Sequence, residues 1–284
     1  MLLTFGSCGQ CANCLIGMPM HCFDGPKYNF LGTRLDGSTT LSQGDQAVHS
    51  NFIGQSSFAT KAVVRENSAV RIDRDIPFDV IAPFGCCVIT GAGTVLNALK
   101  ADVGTSIVIF GVGGVGMSAL LAARVAGCAT IIAVDVHHNR LDLALQLGAT
   151  HAIDATEGGV VEQVRSITGQ GASYAVDCTG SPGILRQALD VIAPLGTAAA
   201  VGSPPMGSEV NVDIIDLIIT GKRLIGVADG WSQPQVLVPR LLQLWQQGRF
   251  PIESILQNFS FEDINSAIAA SASGEVIKPV LVMT

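Results

Sequence analysis

The chain has 284 residues, enough for two ordinary domains. Its net charge of −7 leaves no basic footprint and so excludes a nucleic-acid partner. Mean hydropathy is high, at +0.45, with 14% charged residues, so either the core is large or surface meant to be covered is exposed.

Met1 to Thr4 has no basic region ahead of Gly6, Ser7 and Cys8, so no signal peptide is readable and the expected compartment is the cytoplasm. There, the eight cysteines are expected as thiols or metal ligands rather than disulfides. Cys8, Cys11, Cys14 and Cys22 follow a C-x2-C-x2-C-x7-C pattern among turn formers such as Gly9, Asn13 and Gly17. Four thiolates so close in sequence can wrap one tetrahedral ion with no open position, the signature of a structural zinc. An iron–sulfur cluster uses similar spacing, but usually ends in Cys-Pro or draws on a remote fourth cysteine.

Residues 23–60 read as irregular loops and short strands. Lys61 to Arg65 and Val70 to Ile72 read as two strands of an antiparallel lobe. Pro77 to Phe84 is expected as one helix, and the segment from Cys86 to Leu99 as a longer helix leading to the central motif. That motif starts with the β-branched and aromatic run Ser106 to Phe110, followed at once by Gly111, Gly113, Gly114, Val115 and Gly116 in GxGxxG spacing. In such a turn the first glycine permits the tight backbone, the second lets a pyrophosphate approach, and the third lets the helix lie close on the sheet. A helix N-terminus then offers free N–H groups to the phosphates. A second apolar run, Ile131 to Val134, ends in Asp135, nineteen residues after Gly116, where a carboxylate must sit to accept ribose hydroxyls. The uncharged stretch from Val103 to Ala123 is long enough for a membrane span. Its glycines are spaced as a turn, which argues against that reading.

The alternation continues. His138 to Leu147 reads as a helix with Leu141, Ala144 and Leu145 on one face and Gly148 as its stop. Ala152 to Asp154 reads as a strand, Gly158 to Gly169 a helix, Ser173 to Cys178 a strand and Pro182 to Ile192 a helix. Gly196 to Gly202 follows as a strand, Val212 to Gly221 as a helix and Arg223 to Ala228 as a sixth strand. This pattern predicts an α/β fold with a doubly wound parallel sheet of Rossmann type. Two helices, Pro234 to Gly248 and Glu262 to Ser273, and a strand, Val276 to Met283, are expected to return to the N-terminal lobe. Cys128 and Cys178 read as core, and His137 and His138 as solvated helix-start residues. His21, His49 and His151 have no partner at ligand spacing.

Taken in order, the cysteine quartet, the segment from Gly85 to Gly91, the glycine turn and Asp135 resemble zinc-dependent medium-chain alcohol dehydrogenases. Residues 54–59, 90–93, 147–151 and 248–251 resemble the aryl-alcohol (benzyl alcohol) branch more closely. The resemblance implies a partial, mostly β, GroES-like catalytic lobe over residues 1–87 that is incomplete at its N-terminus. It implies an NAD-binding domain over 88–228 and a return to the catalytic lobe over 229–284. It also implies that Cys86 is a catalytic zinc ligand and that Thr90 packs on the nicotinamide. Asp135 holds the ribose, Arg140 lies beside the adenosine and Lys278 near the pyrophosphate. Without the resemblance, Cys86 reads as a core cysteine. Cys87 stands where relatives usually have glycine.

The expected activity is hydride transfer between a primary, aromatic alcohol and NAD, with Zn2+ as the metal. The expected partners are a small-molecule alcohol or aldehyde and further copies of the chain, as dimer or tetramer, with no membrane. Family members carry a further segment before the residue matching Met1, with a cysteine, a relay hydroxyl and a histidine. The chain is therefore expected to be a fragment or shortened product with doubtful activity. Two other readings stay open: an NAD-binding pseudoenzyme, and a zinc-free quinone or enoyl reductase, which usually lacks the cysteine quartet.

Overall fold

The computed structural model describes residues 2–39, 41–59 and 61–283. In the N-terminal lobe, β1 (Leu2–Leu3) pairs antiparallel with β4 (Ala69–Val70). A hairpin joins β2 (Leu41–Gln43) to β3 (Gln46–Val48). Lys61 to Arg65, expected as a strand, is irregular. Its Val63 is among the exposed large apolar residues, so no burial rewards an extended ladder there.

The central sheet has six parallel strands: β5 (Ser106–Phe110), β6 (Thr130–Asp135), β7 (His151–Asp154), β8 (Ala172–Asp177), β9 (Ile192–Ala200) and β10 (Arg223–Gly226). Their spatial order is β10-β9-β8-β5-β6-β7, with the chain reversing direction of travel between β5 and β8. A ligand crevice opens at that switch, beyond the strands' carboxyl ends.

Strand β5 shows why the sequence takes this form. Ile107 and Ile109 face one hydrophobic cluster and Val108 and Phe110 the other, all four buried, because side chains alternate across a pleated sheet. The first cluster is closed by the helices Cys87–Gly93, Gly114–Ala126 and Pro234–Gln246, the second by Val160–Thr168 and Pro182–Val191. The His138–Leu147 helix buries Leu141, Ala144 and Leu147. Leu145, expected on that face, is exposed, and Gly148 ends the helix at φ +112°.

The helix after Cys86 continues through Leu99 as a π-helical turn. Its Gly91 lies directly on the Gly114–Ala126 helix, where a Cβ would overlap the Val115 carbonyl oxygen and fall 2.8 Å from Ser118 Cβ. This backbone contact brings Thr90 beside the glycine turn. Among the described residues, no single helix is long and apolar enough to cross a membrane.

The C-terminal strand β12 (Lys278–Val282) pairs parallel with β11 (Leu256–Ser260), which the sequence pattern did not announce. Gln235 Nε2 donates to the Asn67 carbonyl at 2.8 Å and Asn258 Nδ2 to Asp79 at 2.8 Å, so the C-terminal residues touch the segment from Asn67 to Asp79.

Candidate functional site

A cleft of about 400 Å³ lies at the switch point, walled by the glycine turn, Asp135, Arg140 and Thr179. Gly111 has φ +80°, and a Cβ there would meet Thr179 Cγ2 at 2.8 Å. A Cβ on Gly116 would overlap the Gly111 carbonyl oxygen. Gly113 differs: its nearest neighbour would be an Arg140 guanidinium nitrogen at 3.9 Å, so its face is open toward the cleft. The Gly114–Ala126 helix starts here with Gly113 as its N-cap and no side-chain cap, leaving its first amides free for an anion.

Asp135 ends β6 and is buried. Its Oδ2 accepts from the Val112 amide at 2.8 Å, and its Oδ1 from the amides of Val136 at 2.8 Å and His137 at 3.0 Å. A carboxylate offers about four lone-pair sites, so about one remains, on Oδ2, for a hydroxyl donor. Arg140 NH1 lies 3.9 Å from Oδ2. Arg140 Nε is buried and has no hydrogen-bond partner among the described residues. A guanidinium nitrogen, NH1, beside an open glycine face, together with free helix amides, fits a dinucleotide's anionic centre.

A second group of residues packs against Gly114. A Cβ on Gly114 would lie 3.5 Å from Cys87 Sγ and 3.6 Å from Lys278 Cδ. Burial pushes the Cys87 thiol up to about 11, and its Sγ donates to the Pro83 carbonyl at 3.5 Å. It is a protonated core thiol. Cys86 is exposed, yet the surrounding protein desolvates its sulfur enough to push the thiol up; Asp229 adds to the rise and Lys278 opposes it.

Asp229 was not singled out from the sequence. It accepts from Thr90 Oγ1 at 3.1 Å, and burial pushes its carboxyl up to about 6 against the opposing effect of that bond. Its only sequence signal is a lone acid beside Gly230, one residue past the strand read as ending at Ala228. Cys178, read as core, lines the cleft, with its thiol pushed well up by burial and by Asp177.

In the N-terminal lobe the sulfurs of Cys8, Cys11, Cys14 and Cys22 all lie within 4.8 Å of one another. Cys8 and Cys14 are 3.9 Å apart and Cys11 and Cys14 3.5 Å. Four sulfurs at about 2.3 Å from a tetrahedral zinc are about 3.8 Å apart, so the set fits that ion. The Cys11 amide donates to Cys8 Sγ at 3.3 Å and the Cys8 amide to Cys22 Sγ at 3.3 Å. The amides of Cys14 and Phe23 hold Cys11 down to about 6, whereas burial pushes Cys14 up to about 12. Zinc binds cysteine as the thiolate, so its binding would deprotonate the four thiols. Among the described residues, Cys86 belongs to no group of three or more metal-ligating side chains. A catalytic zinc, which needs three protein ligands, does not fit the described residues around Cys86.

The zinc-binding dehydrogenase family matches residues 114–242. The chain is 40% identical to geraniol dehydrogenase of Castellaniella defragrans over 284 residues, covering 99% of this chain and 76% of that protein. Its fold superposes on an alcohol dehydrogenase zinc-binding domain protein from Burkholderia ambifaria with TM-score 0.96, at 43% identity, over 100% of this chain and 77% of that one. Benzyl alcohol dehydrogenase from Acinetobacter calcoaceticus gives TM-score 0.92 at 40% identity, with the same coverage. The chain belongs to the zinc-dependent medium-chain alcohol dehydrogenase family.

Proposed function

We propose that this chain is an NAD-binding alcohol dehydrogenase chain whose substrates are primary alcohols with an aromatic or alkene carbon next to the carbinol. The observation that carries the cofactor is Asp135: a buried carboxylate, fixed by three amides beside an open glycine face, with about one lone pair left for a ribose hydroxyl. Gly111 to Gly116 would seat the pyrophosphate, Arg140 would flank the adenosine side, and Lys278 would lie near the phosphates. The substrate class is supported by the two relatives at 40% identity, named for geraniol and benzyl alcohol. Bound NAD supplies the hydride acceptor. The protein's part is to hold the ribose, present the helix amides to the phosphates, and place Thr90 and Cys86 beyond Gly114.

Cys8, Cys11, Cys14 and Cys22 would hold one structural zinc, which contributes folding free energy to the lobe and no chemistry. Cys86 would be a catalytic metal ligand once two further ligands join it. That count favours a second reading, in which the chain by itself binds NAD without normal turnover. NADH formation with benzyl alcohol and with geraniol separates the two. Rates of about 1 to 1,000 per second support the first reading, and rates far below support the second.

We also propose self-association. Helix Ile214–Thr220, which packs on β9 and precedes β10 in the chain, exposes Ile214, Ile215, Ile218 and Ile219, and β10 has no further partner strand among the described residues. An exposed apolar patch and an open strand edge in one domain fit a second copy of the same surface.

A further inference from the structure

The turn from Asp229 to Trp231 is held in a conformation that side chains rarely adopt. Asp229, Gly230 and Trp231 all have positive φ, at +44°, +66° and +47°. Such backbone persists only where its surroundings over-determine it, and here they do. Gly230 lies on the Cys87–Gly93 helix so closely that a Cβ would overlap the Ile89 carbonyl oxygen and fall 2.6 Å from Gly93 Cα. Asn97 Nδ2 donates to the Gly230 carbonyl at 3.2 Å, Ser232 Oγ to the Asp229 carbonyl at 2.6 Å, and Trp231 Nε1 to the Gly226 carbonyl at 3.1 Å. The Trp231 ring also meets His21 of the cysteine loop edge-on, 6.4 Å between centroids. The effect of this locking is to set one carboxyl group, that of Asp229, against Thr90.

Thr90 is buried, and its hydroxyl lies between two acceptors, the Cys86 carbonyl at 2.8 Å and Asp229 Oδ1 at 3.1 Å. Cys87 Sγ and Lys278 Cδ stand 3.5 and 3.6 Å from a Cβ on Gly114, and Gly91, next to Thr90, lies on the Val115 carbonyl, so with the ribose at Asp135 and the phosphates at Gly113 to Val115 the other half of an extended dinucleotide would have these residues beside it. We propose that Asp229 is a positioning residue: through its hydrogen bond it fixes the Thr90 side chain, and with it the nicotinamide half of the cofactor. The hydrogen bond, and not the charge, is what the cofactor senses. This rests on the proposed NAD site.

The test is calorimetric titration of the full chain with NADH and with ADP-ribose, which lacks the nicotinamide. Asp229→Ala and Thr90→Val are each expected to weaken NADH about three- to tenfold and to leave ADP-ribose unchanged. The double variant is expected to lose no more than either single one, because both remove the same bond. Asp229→Asn, which keeps a hydrogen-bonding group of the same shape, is expected to restore NADH affinity to within about twofold. Equal weakening of ADP-ribose would show a merely structural role and overturn the proposal. So would multiplying losses in the double variant, Asp229→Asn behaving like Asp229→Ala, or no effect in any variant. If Asp229→Ala fails to fold, Thr90→Val and Asp229→Asn still decide. Failure of the unmodified chain to bind ADP-ribose would instead refute the NAD site, and this inference with it.

Discussion

A Cβ on Gly116 would overlap the Gly111 carbonyl oxygen, whereas a Cβ on Gly113 would have nothing nearer than an Arg140 guanidinium nitrogen at 3.9 Å. Two glycines of one turn therefore serve different ends. Gly116→Ala must push the helix off the sheet and is expected to cost about 1 to 3 kcal/mol of stability, measured by urea unfolding. Gly113→Ala is expected to unfold at the wild-type midpoint, yet to weaken NADH by a comparable free energy, about five- to hundredfold, because its methyl stands where the phosphates approach. Weaker stability in Gly113→Ala with unchanged NADH affinity would reverse these assignments.

The parallel-sheet half was legible because its signals are local. A β-branched run, a glycine turn, a helix stop at Gly148 and a carboxylate at the end of the next strand all fall within one stretch of chain, and the structure places each within a residue or two of its expected position. The cysteine quartet was legible for the same reason. Asp229 was not, because its meaning comes from Thr90, 139 residues earlier in the chain, and from a left-handed turn that propensity does not announce. Strand β11 was missed because Gln257 and Asn258 give it no apolar alternation, and its pairing with Pro279 and Val280 is what makes it a strand. The residues from Lys61 to Arg65 erred the other way. Their β-branched run lacks the pairing and burial that would turn propensity into a strand.

The cysteine loop is expected to bind one zinc per chain. Metal analysis of purified protein checks this: about one equivalent for the wild type and much less for Cys11→Ser. Chelation is expected to lower the unfolding midpoint, because the ion's binding free energy is folding free energy. A metal content near zero, or one unchanged by Cys11→Ser, would contradict the assignment.

Asp229 predicts a pH dependence with a definite sign. Its carboxyl rises from the ordinary 3.8 to about 6 on folding, mainly through burial. The folded state therefore holds a proton that the unfolded state releases between those values, and stability falls as pH rises through that window. Asp229→Asn removes this dependence. It is expected to be about as stable as the wild type near pH 4 and more stable by about 1 to 3 kcal/mol at neutral pH, the partial solvent access of Asp229 trimming the full shift. Urea midpoints across the pH range check this, and a wild type that gains stability relative to Asp229→Asn on raising the pH would reverse the sign.

Self-association is expected to run through the Ile214–Thr220 helix. Ile218→Glu places a charge on the exposed apolar face of this helix and is expected to shift the chain to a monomer in light scattering, without loss of NADH affinity. An unchanged mass would place the contact elsewhere.

The most direct test of the NAD reading is a comparison of NAD with NADP by calorimetry on the unmodified chain. The buried Asp135 carboxylate, with three amides on it and about one lone pair remaining, meets a ribose hydroxyl as an acceptor and a 2′-phosphate as a like charge. Repulsion at about 4 Å costs around 1 to 4 kcal/mol at effective dielectrics between water and the protein surface, so NAD is expected to bind tighter by roughly five- to several hundredfold. Arg140, 3.9 Å from the carboxylate, softens that preference without reversing it. Equal or tighter binding of NADP would contradict the account of Asp135, and absence of binding by either would contradict the site.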